Sequence, residues 1–181
     1  RFVFQVMSFH SKRNKDRFSI VGAEYWVQFR PSGTLSESSI EFHFDKDEHR
    51  FEKTNVLVHP LLSTVTYLTG CGAPLVVLKS HPSSAKMSRS KAWVVYPASG
   101  KHVSFRGSFY HGCPAELLRR QGHRLSIICN LWDHRPSKLA PIPTYVQSSL
   151  CFSSKEPIDS NIFEDLTAST PEVKLTTVYS H

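Results

Sequence analysis

Residues 63–79 read STVTYLTGCGAPLVVLK, which is two runs of β-branched, aromatic and other apolar residues with Gly70 and Gly72 between them. Short runs of this composition, bounded by glycine and proline, are typical of β-strands. We therefore expect strands over Ser63–Thr69 and Pro74–Lys79 with a turn between them. The rest of the chain can be interpreted outward from this pair, because the same pattern recurs on both sides of it.

Further runs of this kind predict additional strands before and after the pair. They are Glu24–Arg30, Ser39–Phe44, Ala92–Tyr96, Lys101–Arg106, Ser108–His111 and Arg124–Trp132. Many short strands separated by turn signals predict a mainly all-β domain, built as a sandwich, jelly roll or barrel. Only Pro114–Gln121 and Asn161–Thr167 suggest short helices. Residues 136–181 are rich in Pro, Ser and Thr, and we expect an extended segment that wraps the domain, with Val173–Tyr179 as an added edge strand.

Length and composition limit the class of protein. The 181 residues correspond to one domain at roughly 100–200 residues per domain. Hydrophobic residues make up 40% of the chain, which is enough for a packed core and excludes a disordered chain. No apolar run approaches the ~20 residues of a transmembrane helix, so we expect no membrane partner. The net charge of +7 is spread along the chain, which leaves a nucleic-acid partner open.

The beginning of the sequence and its cysteines bear on localisation. Arg1 is followed at once by the apolar residues 2–4, which indicates a piece of a longer polypeptide and leaves localisation undefined. The four cysteines are scattered and form no Cys-x-x-Cys pair. A thiolate zinc site is therefore not expected, and free thiols in a reducing, intracellular compartment are the favoured interpretation.

A candidate metal site begins in the predicted strand at residues 39–44, which we expect to be followed by a charged loop over residues 45–50. Successive side chains of a strand point to opposite faces, so His43 and Asp45 share one face while Phe42 and Phe44 share the other. An imidazole and a carboxylate that converge at a strand end are suitable metal ligands. One imidazole nitrogen with one carboxylate oxygen suits Fe(II) better than calcium or a thiolate-bound metal.

Two later strands supply a third ligand and a candidate anion site. His111 ends a short strand and is followed at once by Gly112. Arg124 opens the strand Arg124–Trp132 and shares a face with Ser126. A guanidinium with a hydroxyl two residues further on can bind a small dicarboxylate, because Arg offers a bidentate charged fork and Ser another donor. Arg119 and Arg120 are the alternatives to Arg124, although they lie in a predicted helix or loop.

The order His-x-Asp, then a distal His-Gly, then Arg-x-Ser at the start of the last strand resembles the iron(II)- and 2-oxoglutarate-dependent oxygenases. The resemblance covers about residues 23–132 and implies a double-stranded β-helix, or jelly roll, with a few short helices, similar to the prolyl hydroxylases. It also implies that residues 63–78 form the central hairpin of this fold. The implied Fe(II) ligands are His43, Asp45 and His111.

The same resemblance implies 2-oxoglutarate as cosubstrate, dioxygen as second substrate and ascorbate as an accessory cofactor. Arg124 and Ser126 would bind the far carboxylate of 2-oxoglutarate. Tyr67 shares a face with Val65 and could donate its hydroxyl to the cosubstrate. Gln28 would point toward the site if Tyr25, Val27 and Phe29 form the core face of their strand.

The implied activity is a dioxygenase reaction that hydroxylates a protein side chain, a small molecule or a modified nucleobase and releases succinate and CO2. Two alternatives remain at this stage. One is a catalytically silent jelly-roll module that binds or interacts with a partner, and the other is a cupin-like enzyme that uses another metal.

Overall fold

The computed structural model describes residues 1–33, 35–79 and 92–139 of the chain. Its regular elements are α1 (Phe2–Arg13), β1 (Gly22–Arg30), α2 (Leu35–Ser38), β2 (Ile40–His43), α3 (Glu48–Thr54), β3 (Leu62–Tyr67), β4 (Leu75–Leu78), β5 (Ala92–Val95), β6 (His102–Arg106), β7 (Tyr110–Cys113), a 3₁₀ turn (Ala115–Leu117) and β8 (Arg124–Trp132). Every strand predicted in this part of the chain is present, with ends that differ by a few residues. The interpretations of Asn161–Thr167 and Val173–Tyr179, and most of that of residues 136–181, lie outside the described residues.

The strands form two four-stranded antiparallel sheets. The first sheet has the order β1-β8-β3-β6 and the second the order β2-β7-β4-β5. An all-β, jelly-roll-like fold is therefore confirmed. The strand of His43 lies directly beside the strand of His111.

The predicted central hairpin of residues 63–78 is wrong. Strand β3 pairs with β6 and β8 in the first sheet, whereas β4 pairs with β5 and β7 in the second. Both edges of each strand are thus occupied by other strands, and the connection between them crosses from one sheet to the other. Gly72 lies in this crossing with φ +98°, a conformation that side-chain-bearing residues rarely adopt.

The main core lies between the two sheets, where the inward-facing residues of both sheets meet. It contains Val65, Tyr67, Leu75, Val77, Val95, Cys113 and Ile128. In the first sheet, inward and outward side chains alternate along β8: Arg124, Ser126 and Ile128 point toward the second sheet, and Cys129 and Leu131 point away from it. This alternation brings charged and apolar residues of one strand to the same interior.

Helix α1 covers part of the outer face of the first sheet and was not predicted. Its Val6 packs in a second cluster with Cys129 and Leu131, and His10, one turn later, is also buried. The segment escaped prediction because Phe, Val and Ser, which have modest helix propensities, make up much of it. Burial against the sheet stabilises this helix more than its intrinsic propensity does.

Two other local predictions also require correction. Pro114–Gln121 forms only the 3₁₀ turn Ala115–Leu117, because both Pro114 and Leu118 are extended. The charged segment 45–50, expected as a loop, contains the start of helix α3. The Asp47 side chain caps this helix by accepting a hydrogen bond from the Arg50 backbone N–H at 2.9 Å.

The outer face of β1 is exposed. Gln28 was expected to point toward the site if Tyr25, Val27 and Phe29 formed the core face of this strand, and they do not. Val27 is 62% and Phe29 57% exposed, and Tyr25 is also exposed. These residues lie on an edge strand, away from the second sheet.

No helix in the described part of the chain is long and apolar enough to span a membrane.

Candidate metal and cosubstrate site

The two histidines of the site meet because β2 and β7 are neighbours. His43 and His111 are direct cross-strand partners in this antiparallel pair, and their ring centroids lie 4.5 Å apart. Each ring is oriented by its own strand: Nδ1 of His43 lies 2.8 Å from the Glu41 carbonyl, and Nδ1 of His111 lies 3.0 Å from the Phe109 carbonyl. With a proton on Nδ1, each ring donates this hydrogen bond and leaves Nε2 free as a ligand atom.

Asp45 completes a three-residue cluster with these histidines. Its Oδ1 lies 3.8 Å from Nε2 of His43, and its Oδ2 lies 3.6 Å from Nε2 of His111. The three ligand atoms all lie within 4.8 Å of one another. Such a group can hold one metal ion once its ligand atoms move closer together, because atoms bound at about 2.0–2.2 Å to the same ion are at most about 4.4 Å apart.

Burial gives the cluster two different sides. His111 is buried, whereas the His43 side chain is 46% exposed. Burial lowers the pKa of His111, although the nearby Asp45 carboxylate opposes the shift. A lowered pKa favours the neutral imidazole, which is the form that binds metals.

The cluster opens into a cavity between the two sheets. The empty volume of this cavity is about 480 Å³, which includes the open solvent at its mouth. Residues from both sheets line it: Trp26, Gln28, Ile40, His43, Asp45, Ser63, Thr64, Val65, Tyr67, Leu75, Phe105, His111, Gly112, Cys113, Arg124, Ser126 and Ile128. All seven residues predicted for metal or cosubstrate binding thus line one cavity.

Arg124 lies in the interior of this cavity and is only 2% exposed. Its guanidinium donates hydrogen bonds to the Ala73 carbonyl at 2.9 Å and to Oε1 of Gln28 at 3.3 Å. Neither of these two acceptors is a carboxylate, and no ion pair of Arg124 is found among the described residues. A buried cation held only by neutral acceptors is costly, because nothing there compensates its charge. The site is therefore suited to an anionic ligand.

Polar groups beside Arg124 support the same interpretation. Ser126 is buried, and its hydroxyl has no hydrogen-bond partner among the described residues. Gln28 faces the cavity even though the opposite face of β1 is exposed. Tyr67 is buried beside Arg124, and burial raises the pKa of its hydroxyl, which keeps it protonated as a donor. These groups offer hydrogen bonds to a ligand carboxylate.

The alternative arginines lie elsewhere. Arg120 is exposed, and its backbone carbonyl accepts a hydrogen bond from the Gly72 N–H at 3.0 Å. The Arg119 guanidinium stacks over the Tyr96 ring at 4.0 Å. Of the three arginines, only Arg124 lines the cavity.

Ser63 and Cys113 are among the cavity residues that sequence reasoning missed. The Ser63 hydroxyl donates a hydrogen bond to Oδ2 of Asp45 at 2.5 Å. Cys113 lies beside the Arg124 guanidinium, and burial raises the pKa of its thiol. Strand alternation contained the signal for both, because Ser63 has the parity of Val65 and Tyr67, and Cys113 that of His111.

No protein-family model matches the chain, and no curated protein matches it. Among solved structures, a prolyl-4-hydroxylase from Pseudomonas putida is similar at 16% sequence identity and a TM-score of 0.49. The match covers 74% of this chain and 65% of that one, so this chain spans less than two thirds of that protein's length.

Proposed function

We propose that this chain is a non-haem, Fe(II)- and 2-oxoglutarate-dependent dioxygenase. His43, Asp45 and His111 would hold the iron, and Arg124 and Ser126 would bind the far carboxylate of 2-oxoglutarate. Two imidazole nitrogens and one carboxylate oxygen form the donor set that suits Fe(II), and they leave three of six coordination positions for other ligands. The substrate would be a protein side chain or a small molecule.

The observation that carries this proposal is the presence of two complementary groups in one cavity. The three metal-ligating side chains and the buried, uncompensated guanidinium of Arg124 line the same space. A ligand that binds a metal through one end and an arginine through a carboxylate at the other end fits this arrangement. 2-Oxoglutarate has both ends, with a 2-oxo acid at one and a carboxylate at the other.

The chain's own residues would bind, orient and exclude water. Arg124, supported by Gln28 and Ala73, would fix the cosubstrate, and Tyr67 would donate a further hydrogen bond. The exposed side of His43 would face the entering substrate. When bound, iron(II) with dioxygen supplies the oxidising power, so that one oxygen atom enters the substrate C–H bond and the other enters succinate as CO2 is released.

The test is a binding experiment under anaerobic conditions. Addition of Fe(II) followed by 2-oxoglutarate to the protein is expected to produce a weak visible charge-transfer band. The band is expected to disappear in His111→Ala, whereas His134→Ala, which changes a half-buried histidine outside the cavity, should retain it. Admission of air with ascorbate should then release succinate. A wild-type protein that binds neither Fe(II) nor 2-oxoglutarate would exclude this function in favour of a silent jelly-roll module.

A further inference from the structure

Ser63 contacts the candidate metal site without being one of its ligands. It lies on β3, in the sheet opposite the two histidines, and is 1% exposed. Its hydroxyl donates a 2.5 Å hydrogen bond to Oδ2 of Asp45, which is short and typical of an O–H group bound to a charged oxygen. This contact joins the first sheet to the carboxylate that follows β2 in the chain.

Asp45 needs such support because it lies beyond the end of β2. Its backbone carbonyl is held by a second contact, since Nδ1 of His59 lies 2.7 Å from it. The backbone of Asp45 is thus fixed by His59 and its side chain by Ser63. The two oxygens of the carboxylate have different surroundings as a result, because only Oδ2 accepts the Ser63 hydroxyl.

We propose that Ser63 is a positioning residue that fixes the Asp45 carboxylate in the orientation in which it can bind a metal. The hydrogen bond fixes the plane of the carboxylate, whose Oδ1 and Oδ2 lie 3.8 and 3.6 Å from the Nε2 atoms of His43 and His111. Without this hydrogen bond the carboxylate is free to rotate away from the two histidines. This inference rests on the proposed function, because it assumes that the cluster of His43, Asp45 and His111 binds a metal.

The experiment uses Co(II) alone as the probe, because its visible spectrum reports the number and geometry of its ligands. Wild type is compared with Ser63→Ala and with the pair Ser63→Thr and Ser63→Val, which have the same shape and differ in the hydroxyl. Ser104→Ala is the matched control, since it removes a serine hydroxyl from the neighbouring strand β6 at an exposed position that does not line the cavity. Thermal melts of the metal-free proteins establish which variants fold.

We expect Ser63→Ala and Ser63→Val to bind Co(II) roughly 10- to 100-fold more weakly, the range typical for loss of a residue that orients a metal ligand. Their Co(II) spectra should change, whereas Ser63→Thr should keep both the spectrum and most of the affinity. Ser104→Ala should match wild type in both measurements. Should Ser63→Ala fail to fold, the comparison of Thr with Val at position 63 decides.

Two failures are distinguishable. If wild type binds Co(II) and loses it in His43→Ala, while the Ser63 variants keep the wild-type affinity and spectrum, the role of Ser63 is wrong and the metal site stands. If wild type does not bind Co(II), or if His43→Ala binds Co(II) as tightly as wild type does, the proposed function and the role of Ser63 are both wrong.

Discussion

His43 and His111 are direct cross-strand partners, and their rings lie 4.5 Å apart. The pairing of β2 with β7 therefore sets the distance between these two residues, which are far apart in sequence. A shift of the register by one residue would turn one of the two side chains to the opposite face of the sheet. The geometry of the candidate metal site thus depends on how closely these two strands approach.

Gly112 allows this close approach, and we predict that Gly112→Ala damages the site. A Cβ atom at position 112 would lie 2.9 Å from the Ile40 carbonyl oxygen and 3.0 Å from Cα of Phe42, so β2 and β7 would have to separate. The expected result is a lower melting temperature and weaker Co(II) binding, measured by thermal melts and titration. Gly22→Ala is the control, because a Cβ there meets no atom within 4 Å. Equal Co(II) affinity in wild type and Gly112→Ala would show that the site does not depend on this approach.

Leu131 tests whether helix α1 supports the fold without contributing to the site. Leu131 is fully buried beneath α1, on the face of β8 that points away from the cavity. Leu131→Ala should lower the free energy of unfolding by about 2–5 kcal/mol, measured by urea denaturation, because it removes apolar contacts and leaves a cavity. Co(II) affinity of the folded variant should remain that of wild type. A large loss of Co(II) affinity would mean that the packing of α1 also shapes the site.

Two buried histidines, His10 of α1 and His102 of β6, should make stability depend on pH. Nε2 of His10 lies 3.0 Å from Nε2 of His102, and Nδ1 of His102 lies 2.7 Å from the Thr66 hydroxyl. Burial, with a smaller contribution from Arg13, lowers the pKa of His10 to about 4. Burial, with a smaller contribution from His10, lowers the pKa of His102 to about 3. Both rings are therefore neutral in the folded protein at neutral pH.

The direction in which stability changes with pH follows from proton uptake by the unfolded chain. Between the unfolded pKa of about 6.5 and the lowered folded values, the unfolded chain binds more protons, so stability falls as pH falls. The contribution of each ring is complete above pH 6.5 and is lost as pH falls toward 4 for His10 and toward 3 for His102. Urea denaturation of wild type and His10→Gln should show a shallower decrease for the variant, by about 1.4 kcal/mol per pH unit for one proton. Parallel curves would contradict a buried neutral His10.

Strand alternation explains how much of the site could be predicted from the sequence. Parity placed His43 with Asp45 and Arg124 with Ser126, and a local rule of this kind is independent of which strands pair. The hairpin of residues 63–78 was wrong because pairing partners depend on contacts that are distant in sequence. Ser63 was missed for a related reason: its importance comes from Asp45, which belongs to the other half of the fold.

Arg124 provides the test that separates cosubstrate binding from metal binding. Truncation of one partner of a buried charge pair typically costs about 2–5 kcal/mol, much of it because the other charge is left unpaired. Arg124→Ala should therefore weaken 2-oxoglutarate binding roughly 30-fold or more, at about 1.4 kcal/mol per tenfold change, while Co(II) affinity changes little. Arg124→Lys should be intermediate, because it keeps the charge and loses the fork. The measurement is calorimetric titration of the Co(II)-loaded protein with 2-oxoglutarate.

Arg120→Ala is the control for this prediction, because Arg120 is exposed and outside the cavity. It should bind 2-oxoglutarate as wild type does. Loss of binding in Arg120→Ala with normal binding in Arg124→Ala would show that Arg120, and not Arg124, anchors 2-oxoglutarate. The proposed metal site would be unaffected by that result. Normal binding in both variants would mean that 2-oxoglutarate does not use this cationic site, and the argument from the buried, uncompensated guanidinium would fail with it.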